Sequence, residues 1–199
     1  MVFDIGSSSI GGAFVELGEN SAPKIVLSIR EPIRLEEVLN VDRFRVYAMH
    51  TLHKVVKSMC ASNMGAPTRI FCVLASPWYA SQTRIISYEK NTPFTFTQKL
   101  ADSLIASEIK LFEDEHGIGS GGENTVRAIE LLSMKTVLNG YATSNPLNQK
   151  ATNLKMTIFI SMGEEEVLAE IEEAISRHFP HITVKFTSFL VASFSTCLS

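Results

Sequence analysis

The sequence predicts a mixed α/β or α+β fold, and two observations carry this prediction. Strand-like and helix-like hydrophobic patterns alternate along the chain, as is typical of proteins in which helices cover a sheet. The 199 residues are 45% hydrophobic, which is enough to bury the core of one large domain or two small ones. The net charge is -3 and the sequence has no long run of charged residues of one sign, so the composition does not favour binding to nucleic acid or to an anionic membrane.

The first half of the chain predicts an antiparallel meander followed by a helix and a fourth strand. The helix is expected over residues 42–63, with Gly65 as its stop signal. Its apolar face comprises Phe44, Tyr47, Ala48, Leu52, Val55, Val56, Met59 and Cys60. The four strands are expected over residues 1–5, 10–17, 24–33 and 69–76. This order is that of the first half of a ribonuclease-H-like subdomain.

The second half predicts a module with the order helix-strand-strand-helix-strand. Thr95 and Gln98 form a capping box for its first helix, which is expected to run through Glu115. A second capping box, Ser161 to Glu164, is expected to begin the other helix. The three strands are expected over residues 125–140, 153–162 and 182–186. The predicted boundaries are therefore 1–89 for the first subdomain, 90–186 for the inserted module and 187–199 for a return to the first subdomain.

The turn between the first two strands is the strongest candidate for a functional site. Gly6, Ser7, Ser8 and Ser9 could point backbone N–H groups and three hydroxyls toward the oxygens of a phosphate. Asp4 ends the preceding strand and could hold Mg²⁺ through water. The alternative is a polar serine turn with a capping aspartate and no ligand, and the pattern alone leaves both open.

Other motifs favour no catalytic or metal site. The turn does not fit a G-x-S-x-G nucleophile elbow, because Ile10 replaces its second glycine and a strand follows. The histidine pairs lack a further ligand, and the three cysteines are far apart, so reduced thiols are expected. The glycine-rich stretch 117–125 is interpreted as a flexible connection, and the glutamates at 164–166 as a solvated helix start.

The segment "VFDIGSSSIGGAFVEL" resembles the first phosphate loop of the superfamily of actin and the sugar kinases, and specifically of the FtsA and PilM branch of bacterial actin-like proteins. The segment 73–104 resembles the passage into the inserted subdomain of these proteins. The segment 127–161 resembles the paired strands of the insert, and 181–195 resembles the return to the first subdomain. The resemblance therefore spans nearly the whole chain in order.

The resemblance implies an ATP-binding protein that polymerises at the inner face of the cytoplasmic membrane. An FtsA-like protein would link a tubulin-like division protein to the membrane. A PilM-like scaffold for type IV pili, acting on the cytoplasmic tails of membrane proteins, and a sugar-kinase-type enzyme are the alternatives. By the family pattern Asp4 would lie near Mg²⁺, and residues 6–9 would line the β- and γ-phosphates of ATP.

The family's second phosphate loop and its adenosine motif would follow the segment "FLVASFS", and the 199 residues contain neither. We expect either a fragment of a longer protein or a degenerate member, and the fragment is favoured. The chain by itself is expected to bind Mg-ATP weakly or not at all and to show no hydrolysis, whereas the complete protein would be at most a weak ATPase.

A partner-binding surface is predicted at the connection between the two strands of the insert. This segment, "YATSNPLNQKATN", carries Tyr141, Pro146 and Leu147 and has Lys150 as its one charge. A long hairpin loop with no partner is the alternative. We expect contact with a neighbouring subunit or with the tail of a membrane protein.

Overall fold

A computed structural model describes residues 1–18, 21–38, 40–115 and 125–197. The chain divides into two compact units, 1–79 with 164–199 and 80–163. The elements are β1 (Val2–Ile5), β2 (Ser9–Glu16), β3 (Lys24–Pro32), α1 (Val41–Ala61), β4 (Ile70–Leu74), β5 (Ala80–Thr95), α2 (Gln98–Glu115), β6 (Val126–Leu138), β7 (Tyr141–Thr143), β8 (Lys150–Glu164), α3 (Glu165–Ser176), β9 (Val184–Ser188) and α4 (Phe189–Cys197).

The first unit contains a five-stranded sheet in the order β3-β2-β1-β4-β9. Strands β1, β2 and β3 form the predicted antiparallel meander, and β4 and β9 extend it in parallel. Helix α1 packs on β2, β3 and α3. Its buried residues are Ala48, Thr51, Leu52, Val55, Val56 and Met59. Cys60, which was predicted on this face, is exposed.

Residues 164–186 were predicted to belong to the inserted module, but they lie in the first unit. Strand β9 pairs with β4 over its whole length, from Ile70 opposite Val184 to Leu74 opposite Ser188. Helix α3 packs on α1 and β9 and buries Val167, Leu168, Ile171, Ala174 and Ile175. Helical periodicity shows that a helix has one buried face, but it does not show which sheet that face covers. The module boundary could not be derived from the pattern for that reason.

The second unit has a four-stranded sheet in the order β5-β8-β6-β7, with helix α2 contacting β5. Its order is strand-helix-strand-strand-strand, which differs from the predicted helix-strand-strand-helix-strand. The core of the unit consists of Ile86, Phe96, Ala101, Phe112, Leu138, Ala151, Leu154, Met156, Ile158, Ile160 and Met162. The mixed fold class predicted from the alternating patterns is therefore confirmed. The predicted set and order of helices and strands in the module is not.

The predicted capping boxes are both wrong. The Thr97 hydroxyl, not that of Thr95, accepts a hydrogen bond from the Leu100 N–H at 3.2 Å, and α2 begins at Gln98. Ser161 is fully buried within β8, where it pairs with Ser81, and the N-cap residue of α3, Glu164, makes no side-chain cap. A capping motif competes with strand pairing for the same residues, and here the pairing of β8 prevails.

The segment predicted as a long connection is mostly ordered strand and turn. Asn139 and Gly140 have positive φ angles of 50° and 86° and form a tight turn between β6 and β7. This turn lies inside the segment 125–140 that was predicted as one strand. Strand β8 begins at Lys150, so only residues 144–149 connect β7 to β8.

The glycine-rich stretch 117–125 lies outside the described residues except for Thr125. Within the described ranges, no helix is both long enough and apolar enough to cross a membrane.

Candidate functional site

The Gly-Ser turn connects β1 to β2 and is held on two sides by backbone hydrogen bonds. The Gly6 N–H donates to the Ser9 carbonyl at 3.1 Å, and the Ile33 N–H donates to the Ser8 carbonyl at 2.8 Å. A Cβ atom on Gly6 would lie 2.9 Å from the Ser9 carbonyl oxygen, so the tight turn requires glycine. Ser7 and Ser8 in this turn are exposed.

Trp78 contacts the same turn and was missed from the sequence. Its indole Nε1–H donates to the Gly6 carbonyl at 2.9 Å, and its ring stacks on Phe44 with the centroids 5.3 Å apart. The Ala75 N–H donates to the Ile5 carbonyl at 3.0 Å, which places the segment after β4 beside the end of β1. The chain's single tryptophan, directly after a buried strand, was the available signal.

Arg30 is the second residue missed, and it crosses the sheet to reach Asp4. Asp4, Gly11 and Arg30 lie directly opposite one another on β1, β2 and β3. The Arg30 guanidinium donates through Nη2 to Asp4 Oδ2 at 2.5 Å and through Nη1 to Ser9 Oγ at 2.9 Å. A row of three opposed residues has its side chains on one face of a sheet. The register of β3 was needed to find it, and the pattern alone does not give register.

The arrangement can bind an anion at the turn. Ser7 and Ser8 are exposed in the turn, and the partly exposed Arg30 guanidinium contacts Ser9 at its end, so hydroxyl and guanidinium donors are available to a phosphate oxygen. The Gly6 N–H already has its partner within the turn, so Gly6 contributes the shape of the turn and not that donor. The binding of nucleotide by residues 6–9 stays a prediction, and so does the place of Asp4 near Mg²⁺.

The predicted partner-binding residues lie in the second unit. Tyr141 is in β7 with 80% of its surface exposed, and Leu147 in the following turn is 48% exposed. Pro146 is half-buried, and its carbonyl accepts a hydrogen bond from the Gln149 N–H at 3.2 Å. The turn is also tied to the segment between β5 and α2, because the Asn148 N–H donates to the Phe96 carbonyl. Two apolar side chains are thus displayed from an ordered backbone.

The five-stranded sheet, with a second unit inserted between β4 and α3, is an actin-like fold, as the resemblance implied. No protein-family model matches the chain, and no curated protein matches it. Chains of solved structures do match, among them one titled "PilM-PilN type IV pilus biogenesis complex". The likeness to that chain has a TM-score of 0.56 at 15% identity and covers 98% of this chain. At this identity the likeness shows the fold alone.

The match covers different shares of the two chains. This chain covers 48% of the PilM-PilN chain, so it spans about half the length of that structure. The match includes both units, since nearly all residues of this chain are covered. The fold is therefore shared across the first sheet and the insert together.

Proposed function

We propose that this chain is part of a nucleotide-binding actin-fold scaffold of the PilM kind, which binds a membrane-protein partner in type IV pilus assembly. The observation that carries the proposal is the structural match to the PilM-PilN complex over 98% of the chain. A match confined to the first sheet would support only a widespread fold, whereas the inserted unit is included here. The site at the turn, with its exposed hydroxyls and Arg30, adds a place for phosphate.

The comparison favours the PilM-like alternative over the FtsA-like function that was the main prediction. The matched structure concerns pilus biogenesis, and the described residues offer nothing specific to a tubulin-like partner or to filament formation. The sugar-kinase alternative likewise has no observation in its favour. Cell division, polymerisation and membrane tethering therefore do not form part of the proposal.

The partner surface of the proposal is the exposed end of the second unit around Tyr141 and Leu147. Apolar side chains on an ordered backbone lose little further entropy on binding, which favours them as contacts. Replacing both with Ser should change the free energy of unfolding by about 0.5 kcal/mol or less, because exposed substitutions rarely do more. The same double variant should weaken partner binding.

The experiment compares two candidate partners. The chain is immobilised, and retention of the PilN homologue and of the tubulin-like division protein from the same organism is measured with and without Mg-ATP. We expect retention of the PilN homologue and its loss in the double variant. As a control, Ile85→Ser alters a side chain of the same unit that is 66% exposed on β5.

One outcome would contradict the proposed function, and another would contradict only the proposed contact surface. Retention of the tubulin-like protein alone would restore the FtsA-like interpretation. Equal retention of the PilN homologue by the parent and by the Tyr141 and Leu147 variant would show that this surface is not the contact, although the scaffold function itself would stand.

A further inference from the structure

We propose that Arg30, and not a divalent cation at Asp4, supplies the positive charge that binds phosphate at the turn. Asp4 is then the carboxylate that positions the guanidinium. The inference deepens the proposed function and rests on it, because it concerns how the same site would hold a nucleotide.

The sheet provides a passage for Arg30 to reach Asp4. Gly11 lies between the two residues in the row, and a Cβ atom there would stand 2.9 Å from Nη2 and 3.2 Å from Cζ of Arg30. Any side chain at position 11 would therefore collide with the guanidinium in its observed place. Gly11 thus leaves open the space that the guanidinium occupies, and a side chain there would push the flexible end of Arg30 aside.

Arg30 occupies the place in which a cation near Asp4 would act. Its Nη2 lies 2.5 Å from Asp4 Oδ2, so an ion bound at that oxygen would stand beside a guanidinium of like charge. Mg²⁺ also needs near-octahedral geometry and gives up its water reluctantly. A single carboxylate that already holds a guanidinium therefore leaves little room for it. The residues as arranged do not fit Mg²⁺ at Asp4.

Arg30 retains the capacity to bind a ligand. Within the described part of the chain its hydrogen bonds go to Asp4 and Ser9, which use two of the five N–H donors of a guanidinium. The side chain is 55% exposed, and its contact with Ser9 Oγ holds it at the end of the Gly-Ser turn. Arginine binds phosphate oxygens in a fixed fork geometry, so a guanidinium at this place can serve as the phosphate ligand.

The test uses the natural fluorescence of Trp78. It is the chain's single tryptophan, and its indole donates to the Gly6 carbonyl, so its emission should respond when the turn is occupied. The probe is inorganic tripolyphosphate in the presence of EDTA, since it carries the phosphate chain without an absorbing base. Titrations with sodium sulfate at equal ionic strength correct for salt.

Four variants separate the roles. Arg30→Gln should raise the apparent Kd for tripolyphosphate about tenfold or more, because a charge-assisted contact is lost, and Arg30→Lys should recover part of the affinity. Asp4→Asn should leave the apparent Kd within about threefold, because the loss of the carboxylate that positions Arg30 and the removal of a negative charge near the phosphate act in opposite directions. Lys54→Gln is the matched control. Lys54 is 58% exposed and pairs with Glu31, the neighbour of Arg30 on β3, and its replacement should change the apparent Kd by less than about twofold.

The metal is examined separately from the phosphate. Addition of MgCl₂ should tighten tripolyphosphate binding by less than about twofold in the parent. Mn²⁺ alone should not broaden the NMR signals of the Asp4 and Gly11 amides in the parent. Broadening there, or a strict Mg²⁺ requirement that Asp4→Asn removes, would overturn the inference.

The outcomes also distinguish this inference from the proposed function. Binding of Mg-ATP that is unaffected by Arg30→Gln would overturn the role of Arg30 and leave a nucleotide-binding scaffold intact. No response of Trp78 to tripolyphosphate, with or without Mg²⁺, would overturn the inference alone, because the proposed function is tested separately by retention of the PilN homologue. Far-UV circular dichroism of each variant confirms that the fold is unchanged.

Discussion

At the scale of single residues, Cys72 provides a direct test of the first unit. It lies on β4 with no exposed surface, and burial raises the pKa of its thiol. The thiolate of Cys72 is therefore disfavoured while the sheet stays closed. We therefore expect a variant with Cys60→Ser and Cys197→Ser, which keeps only Cys72, to react with a thiol reagent at pH 8 at least about 100-fold more slowly than unfolded protein.

The control for this prediction keeps Cys60 instead. Cys60 is exposed at the end of α1, so a variant with Cys72→Ser and Cys197→Ser should react at the rate of a free thiol. Equal native-state rates for the two single-cysteine variants would contradict the interior position of β4 in the sheet, between β1 and β9.

At the scale of secondary-structure elements, Arg84 connects β5 to α2. Its Nε contacts Glu108 at 2.6 Å, and its Nη1 and Nη2 form a fork with Glu115 at 2.6 and 3.0 Å. These contacts raise the pKa of Arg84 further above its already high value, so it stays charged. Arg84 and Glu108 are each only 14% exposed, which makes the loss of one partner costly for the other.

We expect Arg84→Gln to lower the free energy of unfolding by about 2 kcal/mol, because the Glu108 carboxylate would lose its ion-pair partner while largely shielded from water. Urea unfolding followed by circular dichroism measures the change. Arg177→Gln is the comparison, since its pair with Glu173 is exposed and should contribute about 0.5 kcal/mol or less. Equal effects of the two substitutions would mean that the Arg84 contacts add nothing beyond a surface pair.

Some elements of the fold could be predicted from the sequence and others could not. The meander, α1, β4 and α2 could be predicted because their hydrophobic periods and turn residues are local. The assignment of α3 and β9 could not, since it depends on β9 pairing with β4 across the insert. The residues of the candidate site also fall into a locally encoded group and a group brought in by tertiary structure. The turn at Gly6–Ser9 is a local motif, whereas Trp78 and Arg30 reach it only through strand register and tertiary contacts.

At the scale of the whole molecule, the two units lead to different expectations for excision. The sequence-derived boundary predicts that residues 90–186 can be removed as a self-contained module. That deletion would take away α3 and residues 184–186 of β9, which belong to the first unit, and would leave residues 80–89 of β5 without their partner β8. We expect the product of the 90–186 deletion to aggregate or to bind a hydrophobic dye.

Deletion of 80–163 should instead preserve the first unit. Ala80 pairs with Met162 in antiparallel strands, so the chain enters and leaves the second unit at neighbouring positions, about 5 Å apart. A short glycine linker from Tyr79 to Glu164 can therefore close the gap while the five-stranded sheet, α1 and α3 remain complete. The product should unfold cooperatively in urea, with Trp78 fluorescence and circular dichroism giving coincident transitions. Residues 80–163 alone should also unfold cooperatively, because their core cluster lies within them. A dye-binding product without a cooperative transition from the 80–163 deletion, together with a folded one from the 90–186 deletion, would show that α3 and β9 belong with the insert.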